Sequence, residues 1–297
     1  MSLFSQYRIN AHRLNTALFL APWVLVLCVF WVYPLVFALG LSFTKYETLR
    51  NEATWVGLQN YTHIISDNFF WLALKNTAIF SFGTIPFTTA LALVLALGVN
   101  RIPRFQGVFR AAFFLPSVTS LIVIALIFSS LYAANGYVGA LCRLANIPFP
   151  ARGLLQEPST ALPAIMAMDV LLATGYYMVI LLAALQTIPR DLYEAADLSG
   201  ASAWAKFWRI TLPLLRPTLL FVVVINTIRS FQIFVEIYIM TRGGPLGNTS
   251  TLIYLVYQHA FDKFDMGYAS ALAYIVFGII MAFSAAQMWL LRSRDER

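Results

Sequence analysis

The chain has 297 residues, of which 60% are hydrophobic and only 11% charged, whereas roughly a quarter of an ordinary soluble domain is charged. That balance excludes a soluble globular protein. The net charge of +7 invites a nucleic-acid reading, but the basic residues are scattered between apolar runs and form no basic patch. A bilayer core needs about 20 mostly apolar residues per helix, and six segments qualify: 17–41, 75–99, 108–132, 161–186, 215–240 and 268–291. They predict one all-α integral membrane domain with six transmembrane helices. The first span is too long for a signal-peptide core and is read as retained.

In chain order, residues 1–16 form a short polar lead with Arg8 and Arg13. After the first span, 42–74 is a loop containing Val56-Gly57-Leu58-Gln59-Asn60-Tyr61. It ends in Phe69, Phe70 and Trp71, which mark a membrane–water interface. Asn100-Arg101-Ile102-Pro103-Arg104 makes a tight turn. Residues 133–160 are a second long loop with room for a short re-entrant or surface helix. A polar island occupies 187–214, and 241–267 is a third loop opening with Thr241-Arg242-Gly243-Gly244-Pro245. A short basic tail, 292–297, follows the last span.

Charge sets the topology. With the N-terminus inside, the inner segments and adjoining span ends carry twelve basic residues and the longer outer loops seven. The denser side stays inside, so both termini are expected in the cytoplasm of a plasma, or bacterial inner, membrane. Cys28 falls in the first span and Cys142 in an outer loop, so pairing is not expected. His12, His63 and His259 lack metal-ligand spacing.

The island is too long for a turn between spans. Pro189 ends the fourth span, Asp191 is placed to cap a helix through Ala196, and Gly200 permits the left-handed turn that often closes a helix. Ser202 caps a second helix on which Trp204, Phe207, Trp208 and Thr211 share a face. Periodicity alone leaves this helix between a headgroup-lying amphipathic segment and a docking surface. The residue pattern adds to it: Glu194-Ala195-Ala196, three residues, Gly200, nine residues, Ile210-x-Leu212-Pro213. This spacing resembles the motif of binding-protein-dependent ABC importer permeases. The chain departs from the common Asp-Gly-Ala only in reading Ser199-Gly200-Ala201. Val56-Gly57-Leu58 with Asn60-Tyr61, Asn76-Thr77, Ala184-Leu185-Gln186 with Ile188-Pro189, and Gly243-Gly244-Pro245 with Thr249 and Thr251 are similar to the sugar-type branch. They look like the first of the two permeases in maltose-type importers.

The resemblance implies an importer type I permease fold, with Glu194, Ala195, Ala196, Gly200, Ala201, Ile210, Leu212 and Pro213 in a cytoplasmic coupling segment seated on an ATPase. It implies a second permease, two ATPase subunits and an extracytoplasmic solute-binding protein as partners. The chain has no G-x-x-x-x-G-K-[ST] loop to cradle phosphates. ATP and Mg are therefore expected on the separate ATPase subunits, and the chain is expected to hold no cofactor or metal and to be no enzyme.

Ionisable residues inside spans are costly and mark cavities or ion pairs. Asp169 lies in the fourth span, Arg229 and Glu236 in the fifth. On one helix Arg229, Gln232 and Glu236 fall within roughly 60° of arc, with Asn226 at the edge. An Asp169–Arg229 salt bridge, a Glu236 that snorkels to the outer interface, and a polar cavity near the midplane all fit. In the cavity reading Tyr176, Tyr177, Phe231, Tyr238 and Tyr274 supply rings against which sugar C–H faces pack. A carbohydrate or polyol substrate suits this set. Arg229 also admits an anionic glycerol phosphate or an acidic or sulfonated sugar. An ion-coupled secondary transporter with Asp169 as carrier remains open, as does, more remotely, a membrane enzyme.

Overall fold

The computed structural model describes residues 16, 18–47 and 52–291. The chain is overwhelmingly helical. α1 spans Leu18–Ser42. A hairpin follows, β1 (Thr44–Glu47) against β2 (Glu52–Trp55), antiparallel with Thr44 opposite Trp55. Then come α2 (Gln59–Ser66), α3 (Asn68–Asn100), α4 (Gln106–Val118), α5 (Leu121–Leu131), α6 (Tyr137–Leu144), α7 (Ala161–Gln186) and α8 (Arg190–Leu198). The series closes with α9 (Ala203–Lys206), α10 (Leu212–Phe231), α11 (Val235–Met240), α12 (Leu252–Tyr257) and α13 (Met266–Leu291). Among the described residues five helices are long and apolar enough to cross a membrane. The third predicted span, 108–132, is broken: α4 and α5 meet at 91°. The fifth, 215–240, is also interrupted, after Phe231.

Both breaks have local causes. In α4, Pro116 cannot donate to the preceding turn. Just beyond it Thr119 is extended (ψ 148°), and the Thr119 hydroxyl bonds back to the Leu115 carbonyl. Between α10 and α11, Phe234 leaves helical geometry at φ −144°, and the Ile233 carbonyl is met by the Thr251 hydroxyl at 3.1 Å. Irregular backbone at membrane depth survives where protein groups or a cavity satisfy it.

The chain divides into two compact units. The first holds α1, the hairpin, α2 as far as Ile64, and His259–Tyr274. Here the Asn60 amide donates to the Ser42 and Thr44 carbonyls at 2.8 and 2.9 Å, and Tyr61 shares a hydrogen bond with Ser42. Gly57 at φ +58° makes the turn before them. The Val-Gly-Leu-x-Asn-Tyr signature is thus the latch that closes the hairpin loop onto the end of α1. Tyr274 lies in this unit and donates its hydroxyl to the Leu35 carbonyl.

The second unit covers Ile65–Gln258 and the chain from Ile275. α7 is its centre. Its buried stripe of Ala173, Tyr177, Met178, Leu181, Leu182 and Leu185 packs on Ala92, Ala96 and Val99 of α3 and on Leu215 and Val222 of α10. The alanines of α3 let the backbones approach, as small residues do between membrane helices. Asn76 ties the third long loop to α3. Its amide donates to the Gly247 and Ser250 carbonyls, both at 2.9 Å, and the Thr77 hydroxyl accepts from Leu252 N–H at 3.0 Å. Asn76→Ala strands two carbonyls in a buried site. It should cost about 1–3 kcal/mol, read as a lower melting temperature and faster proteolysis within 241–251.

Candidate functional site

Two features concentrate polar chemistry in an apolar molecule, and both belong to the second unit. The first is the segment from α8 to α10. The structure begins α8 at Arg190, with Pro189 at the capping position and no side-chain cap, so Asp191 lies in the first turn instead of capping it. There its carboxylate still favours the helix N-terminus. α8 ends as the sequence suggests. Gly200 adopts φ +74°, its N–H bonds the Asp197 carbonyl at 3.0 Å, and Ala201 N–H reaches back to the Ala196 carbonyl at 2.9 Å. This is the paired geometry of a glycine-terminated helix, and it rests on Gly200 and not on the side chain of Ser199 before it.

The Ser202 hydroxyl then caps α9 through Ala205 N–H at 3.2 Å. A wide turn, Phe207–Thr211, follows directly before Leu212 and Pro213. It rotates Thr211 off the expected face: Thr211 is buried and bonded to the Tyr193 hydroxyl at 2.9 Å, while Trp204, Phe207 and Trp208 keep mutual ring contact. Lys206 pairs with Asp197 at 2.6 Å, pinning α9 to α8. Ile210 and Tyr193 pack under this hairpin against the α3–α7–α10 core. Glu194 and Ala195 face outward, and Leu198 is 92% exposed. A leucine so exposed on a rigid turn is a knob without a socket among the described residues.

The second feature is an ionic cluster between the broken spans. Arg229 Nη2 donates to Asp169 Oδ1 at 2.7 Å and lies 3.9 Å from Glu236 Oε1. Asp169 and Glu236 are buried, whereas the Arg229 side chain is 38% exposed. These three residues, with Ser230, Gln232 and Phe234, line a cavity of about 320 Å³. A second cavity, about 310 Å³, adjoins it through Arg229 and is lined by Tyr176, Tyr177, Ser117 and Thr119. The salt bridge and the polar cavity are one arrangement.

Of the candidates from sequence, Asp169, Arg229, Gln232 and Glu236 come together around the first cavity, and Tyr176 and Tyr177 around the second. Asn226 is buried and accepts a long hydrogen bond from Ser230, outside both linings. Phe231 is buried against the exposed ring of Phe283, and Tyr238 stacks on Phe234 in a ring cluster with Tyr257. Tyr274 belongs to the other unit. The rings that do line the first cavity, Phe80 and Phe234, escaped the sequence reading, as did Ser117 and Thr119 of the second. The only sequence signal for them was the Pro116-to-Ser120 cluster of helix-breaking and hydroxyl residues.

Broken membrane helices around a polar cavity, with a rigid polar hairpin between two spans, define a helical membrane permease. The chain belongs to the family of binding-protein-dependent transport system inner membrane components, which its residues 88–294 match. It is 34% identical to the lactose transport system permease protein LacF of Rhizobium radiobacter, over 95% of this chain and 96% of that one. It is 33% identical to the sulfoquinovosyl glycerol transport system permease protein SmoG of Agrobacterium fabrum, over 95% and 92%. Its fold matches a bacterial alginate ABC transporter, solved in complex with an alginate pentasaccharide-bound periplasmic protein. The TM-score is 0.82 at 20% identity, over 98% of both chains. The protein is thus a multi-pass permease component of a multi-subunit ABC transporter, and not its ATPase.

Proposed function

We propose that the chain is one of two permease subunits of an ATP-driven importer for a carbohydrate or related polyol. Its partners are a second, similar permease, two ATPase subunits that hold ATP and Mg, and an extracytoplasmic binding protein that delivers the solute. The observation that carries this reading is the α8–α9 hairpin. The Glu194–Pro213 spacing falls on a glycine-closed, capped and ion-paired unit that presents Glu194, Ala195 and Leu198 outward. That is the form a docking element needs: rigid within itself and apolar at its tip. The basic-residue bias supports placing this hairpin, residues 1–16 and the tail 292–297 in the cytoplasm, with 17–291 as the permease domain. The terminal stretches 1–15 and 292–297 lie outside the described residues.

In this reading, closure of the ATPase pair pulls on α8. The motion reaches the spans through the core beneath Tyr193 and Ile210, and the cavity around Asp169 and Arg229 opens to the binding protein. The free energy of ATP hydrolysis returns it. The spans reshape at the breaks after Val118 and Phe231, where fewest backbone hydrogen bonds must yield. Sugar names among the relatives favour a carbohydrate cargo. Asp169, Arg229, Gln232, Glu236, Tyr176 and Tyr177 are the residues proposed to line its path.

Cysteines placed at Ala201 and at Ala203 should cross-link to the ATPase subunit in the assembled transporter, with a yield that changes on adding ATP. An assembled complex that gives no cross-link at either position would overturn the docking assignment.

A further inference from the structure

Among the described residues, three buried polar atoms around the ionic cluster have no hydrogen-bond partner within reach, Asp169 Oδ2, Arg229 Nη1 and Asn226 Nδ2, and the Tyr177 hydroxyl is turned toward the Arg229 guanidinium without a close bond. The first two matter most. They sit on side chains already joined through Oδ1 and Nη2, and both side chains line the cavity. A buried polar atom left unpaired is costly, and an acceptor beside a donor at the heart of a transport path invites a ligand that satisfies both.

We infer that the Asp169–Arg229 pair reads a diol of a sugar that is uncharged as a whole, and that it rejects sugars that carry an anionic group. The inference rests on the carbohydrate reading above and narrows it. A hydroxyl both donates and accepts. One hydroxyl can donate to Asp169 Oδ2 while its neighbour accepts from Arg229 Nη1. A phosphate, sulfonate or carboxylate offers acceptors only: it satisfies the guanidinium and leaves Oδ2 facing negative charge. Arg229 is also already engaged, by Asp169 at 2.7 Å and with Glu236 at 3.9 Å. An anion must compete with two carboxylates for one guanidinium. An amine would satisfy Asp169 and leave Nη1 unpaired. A neutral hydroxyl-bearing solute pairs both atoms without bringing negative charge beside Asp169 and Glu236, and Phe234 and Tyr176 offer rings for its C–H faces. Both atoms are shut off from water in this state, so the ligand reaches them as the cavity opens, and the cost of their isolation adds to the preference for binding.

The test uses the assembled transporter in nanodiscs without binding protein, so that the selectivity of the binding protein plays no part. Cys28 and Cys142 are replaced by serine, and Ile228→Cys, on the cavity wall, reports occupancy by its rate of alkylation. Lactose and trehalose are the neutral probes and lactobionate the anionic one, at equal concentration. The neutral probes should slow alkylation and lactobionate should not. Asp169→Asn should raise the half-protecting concentration of the effective neutral probe about tenfold or more. It should also let lactobionate protect, because the amide can donate to an anion. Glu236→Gln keeps the 2.7 Å pair and should likewise admit lactobionate; it decides the matter if the Asp169 variant fails to assemble. Equal protection by lactobionate and neutral sugars in the unaltered cavity overturns the inference. So does protection by neither neutral probe, or a neutral-to-anionic ratio that neither variant moves. ATP-driven uptake with the binding protein, measured in parallel, separates the two levels. Uptake with a flat ratio sinks this inference alone, whereas absence of ATP-driven uptake for every sugar sinks the carbohydrate importer itself.

Discussion

Gly175→Ala should cripple assembly of the permease, although it adds a single methyl group. Gly175 lies in the middle of α7 where α4 crosses it, and a Cβ there would stand 1.8 Å from the Phe113 carbonyl oxygen and 2.7 Å from its carbon. Both are backbone atoms of a helix, so no side chain can swing aside. The helices must part, and with them goes the Ser117 hydroxyl bond to the Leu172 carbonyl at 2.9 Å. Overpacking a close-packed contact costs about 1–3 kcal/mol and more where backbone must move. We expect alanine to reach the upper end of that range and valine to prevent recovery of folded protein. Gly278→Ala is the control: an added Cβ there meets nothing within 4 Å, and surface changes usually stay within about 0.5 kcal/mol. Yield of assembled complex and melting temperature are the measurements. A Gly175→Ala protein as stable and active as the control would mean that α4 and α7 do not approach as closely as described.

The same crossing shows what the sequence could and could not disclose. Four of the helices predicted as spans lie within a few residues of their expected places: α1, α7 and α13 closely, and α3 with seven more residues at its start. Long apolar runs carry that information unaided. The breaks in the third and fifth spans were illegible because hydropathy averages over a window longer than the two or three residues that bend. Thr119 and Ser120 cost such an average little, and the Thr119 hydroxyl bonds back to the Leu115 carbonyl of the preceding helix. The hairpin β1–β2 was hidden for a different reason. Its strands are four residues each, too short for alternation to stand out from a loop.

The cavity was half legible. Asp169, Arg229 and Glu236 were conspicuous as charges in lipid, but sixty residues separate the first two, and only the fold says that they touch. The roughly 60° arc of Arg229, Gln232 and Glu236 requires one continuous helix through 236. The chain bends after Phe231, which sends Phe231 into the core and brings Phe234 to the cavity instead. The Glu194–Pro213 segment was the most legible part, because its structure is local: a glycine, a capping serine and a proline each act on their nearest neighbours. What it docks against is not local, and that is where the second large effect is expected.

Glu194→Arg should reduce ATP-driven uptake by about 30-fold or more while leaving the permease folded. Glu194 is exposed on α8, and the ion pair that stiffens the hairpin is made by its neighbours Asp197 and Lys206, so reversal of its charge breaks no side-chain hydrogen bond or ion pair among the described residues. If α8 seats in a cleft of the ATPase, that carboxylate is desolvated on docking and needs a partner. Removing one member of a buried interfacial charge pair costs about 2–5 kcal/mol, and placing a cation there costs no less. The opposing reading, in which α8 and α9 lie on lipid headgroups with Trp204 and Trp208 in the apolar layer, predicts the reverse sign. A further arginine beside Lys206 and Arg209 would then bind anionic lipid more tightly, by about 1 kcal/mol, and transport would be unharmed. Co-purification of the ATPase with the variant, its binding to anionic vesicles and its uptake rate together separate the two. Loss of ATPase and of uptake, with the proteolysis pattern of the permease unchanged, establishes docking. A variant that retains its ATPase and transports normally would return the hairpin to the membrane surface.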